Sequence, residues 1–139
     1  MMQGDDIKKL IPQRHPMMMV DEFEATGEQS ATTMLTIRSD NYFLLPSQEL
    51  SETGLIEHIA QSASALAGYQ ALSREAKNPP VGLIGEIKHY TCHRRVRVGE
   101  VVHTTVNFGF TFGAATLTKG ECRIDDELIA EADMKIFIQ

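Results

Sequence analysis

Residues 54–69 read Gly-Leu-Ile-Glu-His-Ile-Ala-Gln-Ser-Ala-Ser-Ala-Leu-Ala-Gly-Tyr, and this stretch decides the fold. It contains no proline, and small residues stand where a surface helix would carry lysine and glutamate. We therefore predict a buried helix over residues 52–73, with Ser51 as its N-cap. Its apolar stripe consists of Ile56, Ile59, Ala60, Ala63, Leu66 and Ala67.

One carboxylate projects from this largely apolar helix. Glu57 shares a face with Gln61, Ser64 and Gly68 by the i, i+4, i+7 spacing. Burying a glutamate costs free energy unless it is paired, hydrogen-bonded or protonated. Two interpretations are open: Glu57 lies at the solvent edge of the helix, or it belongs to a functional site.

The composition is typical of one ordinary domain. The chain has 139 residues, 42% of them hydrophobic, which is enough to form a core without stabilising disulfides or metal ions. Two cysteines, Cys92 and Cys122, and the lack of a signal-peptide pattern predict free thiols and a cytoplasmic location. No apolar run approaches the roughly 20 residues of a membrane span. The net charge of -6 argues against nucleic acid as a partner.

Strand patterns flank the helix on both sides. A short helix through Leu10 and a connector with Pro12 and Pro16 open the chain, and Lys77-Asn78-Pro79-Pro80 ends the helical pattern. Six strands are predicted, at 17–25, 31–37, 81–92, 101–112, 114–124 and 128–138.

Six strands and one helix predict an α+β fold in a single domain over residues 1–139. The expected architecture is the hotdog fold, a curved and mainly antiparallel sheet wrapped around one long central helix. Because the helix alone cannot cover both the sheet and its own opposite side, we expect a dimer with the helices near its interface.

Three segments in collinear order resemble the hotdog 3-hydroxyacyl-ACP dehydratases. Residues 11–21 (IPQRHPMMMVD) resemble their N-terminal motif, and residues 54–61 (GLIEHIAQ) resemble their central-helix motif with its catalytic carboxylate. Residues 82–85 (GLIG), with Lys88, Tyr90, Cys92 and Val98-Gly99, are similar to the third segment of the subgroup found in aryl polyene gene clusters.

The resemblance implies removal of water from 3-hydroxyacyl chains on acyl carrier protein, giving trans-2-enoyl thioesters in fatty acid or polyene biosynthesis. Such a reaction needs a base for the C2 proton, an acid for the departing hydroxyl and donors for the thioester oxygen. The resemblance assigns Glu57 as the catalytic carboxyl, acting on the hydroxyl end from an apolar tunnel. Neither a metal nor another cofactor is expected.

The resemblance also implies a substrate-binding set. Backbone N–H groups near Thr53 and Gly54 are expected to hold the thioester oxygen, and Gln61 to orient the Glu57 carboxylate or take part in binding. The full set is Pro12, Arg14, Thr53, Gly54, Gln61 and Gly85.

The loop histidine of the housekeeping dehydratases is missing. Residues 41–53 contain no histidine, and Gln13 stands where relatives commonly carry one. His15 is the candidate base, and the alternative is a structural histidine that bonds its own loop. His58 adjoins Glu57 but lies about 100° round the helix, so we do not expect it in the same pocket.

A dense basic run interrupts the acidic chain at His93-Arg94-Arg95-Val96-Arg97. Arg94, Arg95 and Arg97 are interpreted either as a docking site for an acidic carrier protein with a phosphopantetheine arm or as a solvated turn.

Two other functions stay open at this stage. The missing histidine is also compatible with a non-catalytic acyl-ACP-binding subunit that pairs with an active dehydratase. A hotdog acyl thioesterase would instead use Glu57 to activate water or as a nucleophile. The expected assembly is a homodimer, with a heterodimer containing a related dehydratase as the alternative.

Overall fold

The computed structural model describes residues 1–75, 80 and 82–138, which form seven strands, one 3-10 helix and one α-helix. In chain order these are β1 (Met2–Gln3), the 3-10 helix (Gly4–Lys9), β2 (Glu22–Gly27), β3 (Ser30–Thr36), α1 (Glu52–Ser73), β4 (Gly82–Cys92), β5 (Val101–Phe112), β6 (Ala115–Ile124) and β7 (Glu127–Ile138).

All strands belong to one antiparallel sheet with the order β1-β2-β3-β5-β6-β7-β4. Helix α1 contacts every strand from β2 to β7, so the sheet wraps around it. The α+β hotdog architecture predicted from the sequence is confirmed. The predicted helix break falls on residues 77–80, and the third predicted strand begins at Val81. Of these positions only Pro80 lies within the described residues.

Helix α1 begins and ends where the sequence predicts. The hydroxyl of Ser51 accepts a hydrogen bond from the Gly54 N–H at 3.1 Å, which satisfies one of the free donors of the first turn. Residues 58–68 are all buried, because small side chains on every face allow close approach from several directions. Strand β6 comes close to α1 at Gly120, where a Cβ would collide with Ile59.

The sheet covers one side of α1, and the N-terminal segment of the same chain covers the other. Ile7, Leu10, Ile11 and Met19 are completely buried, and a Cβ on Gly68 would overlap the Leu10 carbonyl. The sequence argument that a second subunit is needed to cover this helix is therefore wrong, and the dimer requires other support.

The N-terminal segment also explains the largest error in the strand prediction. The first long strand starts at Glu22 rather than at Met17, because residues 17–19 are hydrogen-bonded to side chains of α1 instead of to a neighbouring strand. The two-residue strand β1, which pairs with β2, was not predicted. The later strands agree with their predicted bounds to within one residue.

Candidate active site

Glu57 lies in the second turn of α1 and is half-buried. Its carboxylate oxygen Oε2 accepts a hydrogen bond of 2.6 Å from the side-chain amide of Gln61, one turn further along the helix. Gln61 is 1% exposed. The sequence-based expectation that Gln61 orients the carboxylate thus has a direct geometric basis.

Gln61 also binds residues 17–19, the end of the connector that precedes β2. Its Nε2 donates to the Met17 carbonyl at 2.7 Å, and its Oε1 accepts from the Met19 N–H at 2.6 Å. Residues 17–19 are therefore fastened against α1 beside Glu57. Met17 itself is 40% exposed, which places the carboxylate near an opening to solvent.

His58 fastens the same connector from the sheet side. Its Nδ1 lies 2.6 Å from the Met19 carbonyl and its Nε2 lies 2.7 Å from the Thr104 hydroxyl of β5. Complete burial lowers the His58 pKa to about 4, against smaller raising effects of the Met19 bond and the Asp21 charge. The ring is therefore neutral near pH 7, donates from Nδ1 and accepts at Nε2. As expected, His58 turns away from Glu57.

The N-terminus of α1 offers fewer free donors than the resemblance implies. The Gly54 N–H is already bonded to Ser51, so the expectation that it is free for a thioester oxygen is wrong for this conformation. Gly54 is buried against Phe43, whereas Thr53 is exposed. Of the two predicted donors, Thr53 alone has an N–H without an acceptor among the described residues.

His15 lies on the surface of the connector. It lines a cavity of about 120 Å³ together with Asp21, Arg38, Tyr42 and other residues, and its ring has no hydrogen-bond partner in the described part of the chain. Among the described residues, no hydrogen bond or ion pair joins His15 to Glu57.

None of the other histidines reaches Glu57 either. His89 lies 3.2 Å from Asp133 and His93 lies 3.4 Å from Glu131, both near the sheet edge, and His103 is exposed on β5. Across the ranges 1–75 and 82–138, Glu57 therefore has no imidazole partner.

Three other predicted binding residues have structural contacts of their own. The Arg14 guanidinium donates to the carbonyls of Lys8, Ile11 and Gln13 at 2.7 to 3.1 Å, which closes the turn that contains the half-buried Pro12. Gly85 on β4 leaves room for the ring of Phe137. Their roles in substrate binding stay predictions.

The basic run at residues 93–97 is largely paired. Arg94 forms two hydrogen bonds with Glu100, at 3.0 and 3.1 Å, and lies 3.5 Å from Glu127. The bond to Arg94 holds the pKa of the Glu100 carboxyl below its usual range. Arg95 lies 4.0 Å from Glu52. Arg97 is exposed, and its side chain has no ion pair among the described residues.

Tyr90 is a polar group near α1 to which the sequence reasoning assigned no role. Its hydroxyl is buried without a hydrogen-bond partner among the described residues. Burial raises its pKa, and nearby Cys92 and Glu52 add to the effect. The spacing of Tyr90 and Cys92, which puts both on one face of β4, is the available sequence signal.

Within residues 1–75, 80 and 82–138, no three His, Cys, Asp or Glu side chains form a cluster that could hold a metal ion. Over the same residues, no helix has both the length and the apolar composition needed to cross a bilayer. Cys92 and Cys122 are both free thiols.

The fold and site together define a hotdog protein with a carboxylate on its central helix, held by a neighbouring amide. The chain belongs to the ApeP-like dehydratase family, because the family model described as ApeP dehydratase matches residues 5–139. The family inferred from the three motifs is confirmed.

Curated relatives agree with this assignment. The chain is 25% identical over 138 residues to the 3-hydroxyacyl-[acyl-carrier-protein] dehydratase FabZ of Clostridium botulinum, covering 96% of this chain and 94% of the relative. The corresponding FabZ of Clostridium acetobutylicum is 27% identical over 142 residues, and 96% of each chain is covered.

Solved structures show the same fold at low identity. The dehydratase heterocomplex ApeI:P from Xenorhabdus doucetiae has a TM-score of 0.88 at 15% identity and covers 96% of this chain and 90% of the matched chain. A hypothetical thioesterase from Streptococcus pneumoniae, crystallised with coenzyme A, has a TM-score of 0.67 at 8% identity, covering 85% and 84%. Both similarities concern the fold.

Proposed function

We propose that this protein removes water from 3-hydroxyacyl thioesters on acyl carrier protein and yields trans-2-enoyl thioesters. Membership of a dehydratase family and similarity to FabZ relatives support this reaction and this carrier. The observation that carries the proposal is the hydrogen bond of 2.6 Å that presents the Glu57 carboxyl at the half-buried surface of α1. A cytoplasmic location is part of the same proposal.

In the proposed reaction, Glu57 gives a proton to the hydroxyl on C3. The C3–O bond then breaks, water leaves, and the electron pair of the C2–H bond forms the C2–C3 double bond. A base takes the C2 proton, and donors at the start of α1, such as the Thr53 N–H, stabilise negative charge on the thioester oxygen. Glu57 then takes a proton from solvent and the base releases its proton, which restores both groups.

The base of this reaction is not identified within one chain, since no imidazole is hydrogen-bonded to Glu57 among the described residues. We infer that a second subunit supplies it. The second subunit is either another copy, contributing His15, or a related dehydratase with its own histidine. The ApeI:P dehydratase of Xenorhabdus doucetiae is a heterocomplex, which supports the second option.

The candidate surface for such a subunit is β4, which is the strand at one edge of the sheet. Ile84 and Ile87 pair with Ile136 and Met134 of β7, which are 1% and 2% exposed beneath α1. Ile84 and Ile87 face the same side, yet they are 38% and 39% exposed. An uncovered apolar edge next to the core is a surface for strand pairing.

Turnover by the purified protein is the direct test of function. We expect the 2-enoyl thioester to accumulate when 3-hydroxyacyl-ACP is added to this chain, alone or mixed with a related dehydratase. Product only in the mixture would identify a partner subunit. Absence of product in both conditions would contradict the proposal, and release of free thiol from acyl-ACP would indicate a thioesterase instead.

His15→Ala separates the two sources of the base. If His15 of a second copy is the base, this variant should lose roughly 100-fold in rate when assayed alone. If a related dehydratase supplies the base, the mixture with that protein should keep its rate when this chain carries His15→Ala.

A further inference from the structure

Strand β4 runs along the face of α1 that carries Glu57. Ser64 shares this face by the i, i+7 spacing, and it lies against the start of β4, where a Cβ on Gly82 would collide with the Ser64 hydroxyl oxygen. Towards its other end, β4 brings Tyr90 near Glu52, the first residue of α1. The strand and the helix are therefore antiparallel, and along the helix Glu57 lies between these two contacts.

A β-bulge turns Tyr90 toward α1. Strand β4 has one residue more than β7 in this region, so His89 and Tyr90 both stand opposite Ala132. The extra residue shifts the alternation of the strand, and Tyr90 packs against the core on the side of Cys92, which pairs with the buried Ala130. His89 has a φ of 52°, in the left-handed region that residues other than glycine seldom adopt. Bulges of this kind re-aim side chains next to functional sites.

The hydroxyl of Tyr90 is buried near the start of α1 without a hydrogen-bond partner among the described residues. The nearby Cys92 thiol donates to the Arg94 carbonyl at 3.2 Å instead. The Glu52 carboxylate, which is also nearby, lies 4.0 Å from Arg95. A buried hydroxyl that bonds nothing costs free energy, so this donor requires an explanation.

The protonation state of Tyr90 defines what its hydroxyl can do. Burial raises its pKa, and Cys92 and Glu52 raise it further. The hydroxyl therefore keeps its proton near pH 7. It can donate a hydrogen bond, but it cannot be the base that takes the C2 proton.

The proposed reaction needs a donor at this end of α1. Negative charge on the thioester oxygen is stabilised by donors that are already in place, yet the Gly54 N–H is bonded to Ser51. The Thr53 N–H has no acceptor among the described residues, and Thr53 shares a helix face with Glu57 by the i, i+4 spacing. We propose that Tyr90 is a further catalytic residue, whose hydroxyl donates to the thioester oxygen together with the Thr53 N–H.

This assignment rests on the proposed dehydration and deepens it by adding a donor to the site. The hydroxyl-bearing C3 and the thioester carbon C1 are both bonded to C2, so the groups that act on them must lie close together. The start of α1 meets this requirement, because side chains on a helix, such as that of Glu57, lean toward its N-terminus. Tyr90 approaches the same end of the helix from β4.

Steady-state kinetics of Tyr90→Phe provide the first test, in whichever assembly is active. The variant keeps the ring and loses only the hydroxyl, so kcat should fall about 100-fold while KM changes less than about threefold. The matched control is Tyr69→Phe, which removes the hydroxyl of a partly exposed tyrosine near the other end of α1 and should keep the wild-type rate. A kcat of Tyr90→Phe within about twofold of wild type would overturn the proposal.

Thermal unfolding separates a catalytic hydroxyl from a structural one. If the hydroxyl bonds another protein group in solution, including a group of a second subunit, Tyr90→Phe should lower the melting temperature. If it serves the substrate, the variant removes a buried group without a partner, so we expect an unchanged or higher melting temperature. A loss of melting temperature in Tyr90→Phe but not in Tyr69→Phe would contradict the donor role.

Infrared spectroscopy tests the donor without turnover. Butyryl-pantetheine, isotopically labelled at the thioester carbonyl, has no hydroxyl to lose, and a hydrogen bond to its oxygen lowers the carbonyl stretching frequency. With the protein saturated, we expect a lower frequency in wild type than in Tyr90→Phe. Equal frequencies would show that the assignment of Tyr90 is wrong even if the protein is an active dehydratase. A lower frequency in wild type without any 2-enoyl product from 3-hydroxyacyl-ACP would confirm the hydrogen bond and contradict the proposed function.

Discussion

At the residue scale, Glu57 is the group on which the proposed activity depends. We expect Glu57→Gln to abolish dehydration, because the amide keeps the size of the carboxyl but has no acidic proton to give. Steady-state rates with 3-hydroxyacyl-ACP are the measurement. Glu121→Gln, which changes a half-buried carboxylate on β6, is the control. A wild-type rate for Glu57→Gln would show that another group is the acid.

His58 should make the protein lose stability in mild acid. Its pKa is 6.5 in an unfolded chain and about 4 when buried in the folded protein. The unfolded state therefore binds the proton first as pH falls, and the free energy of unfolding decreases between 6.5 and about 4. From pH 7 to pH 5 the expected loss is about 2 kcal/mol, measured by urea unfolding.

Two histidine variants make this prediction specific. His58→Gln should be less stable than wild type at pH 7 but should lose much less stability on acidification to pH 5. His103→Gln, which changes an exposed histidine on the adjacent strand β5, should keep the wild-type pH dependence. Equal slopes for the two variants would show that another group controls stability in this range.

At the scale of elements, the contact between α1 and the N-terminal segment depends on the absence of a side chain at Gly68. A Cβ at this position would overlap the Leu10 carbonyl, and neither backbone can move without disturbing the core. Alanine improves helix propensity by about 1 kcal/mol, but overpacking of this kind costs about 1–3 kcal/mol.

We therefore expect Gly68→Ala to lower the free energy of unfolding despite its better helix propensity. Gly109→Ala is the control, because a Cβ there meets the Leu117 carbonyl at 3.6 Å, an ordinary contact. Thermal unfolding of the two variants is the measurement. A stabilised Gly68→Ala would mean that the helix and the N-terminal segment separate more easily than this packing implies.

At the same scale, the segment before β2 has a misleading sequence pattern. The run Met17-Met18-Met19-Val20 has the composition of a strand, and Met19 and Val20 are indeed buried. Its backbone groups, however, bond the side chains of Gln61 and His58, which are more than 38 residues away in sequence. The local pattern of apolar residues contains no information on such distant partners. The predicted strand therefore starts five residues before the observed one.

At the scale of the whole molecule, the uncovered edge of β4 predicts self-association. We expect Ile87→Glu to convert a dimer to monomers, because it would place a charge on the apolar side of an edge strand. Size-exclusion chromatography with light scattering is the measurement. Phe110→Ser, which changes a side chain 76% exposed near the end of β5, is the control. A dimer unaffected by Ile87→Glu would place the interface elsewhere.

Binding of the carrier protein should depend on Arg97 more than on Arg94 or Arg95. Arg94 and Arg95 lie within 4.0 Å of glutamates, whereas the exposed side chain of Arg97 has no ion pair among the described residues. We expect Arg97→Glu to raise KM for 3-hydroxyacyl-ACP severalfold at low salt and less at high salt. Lys119→Glu, on the outer face of the sheet, is the control.

The same assay with a pantetheine-linked substrate isolates the docking step. Without the carrier protein, Arg97→Glu should leave KM unchanged. An unchanged KM for the carrier-linked substrate as well would support the solvated-turn interpretation of residues 93–97.

The sequence by itself determined the helix, its cap and the antiparallel strands, because those features depend on local spacing and on the burial that a helix of small residues requires. It also singled out Glu57 and the Gln61 amide one turn away, since both lie on one face of the helix. Only the tertiary structure decided that the chain's own N-terminal segment covers α1, and that Gln61 and His58 bind the backbone of residues 17–19. Those facts depend on contacts between distant segments, which no local pattern encodes.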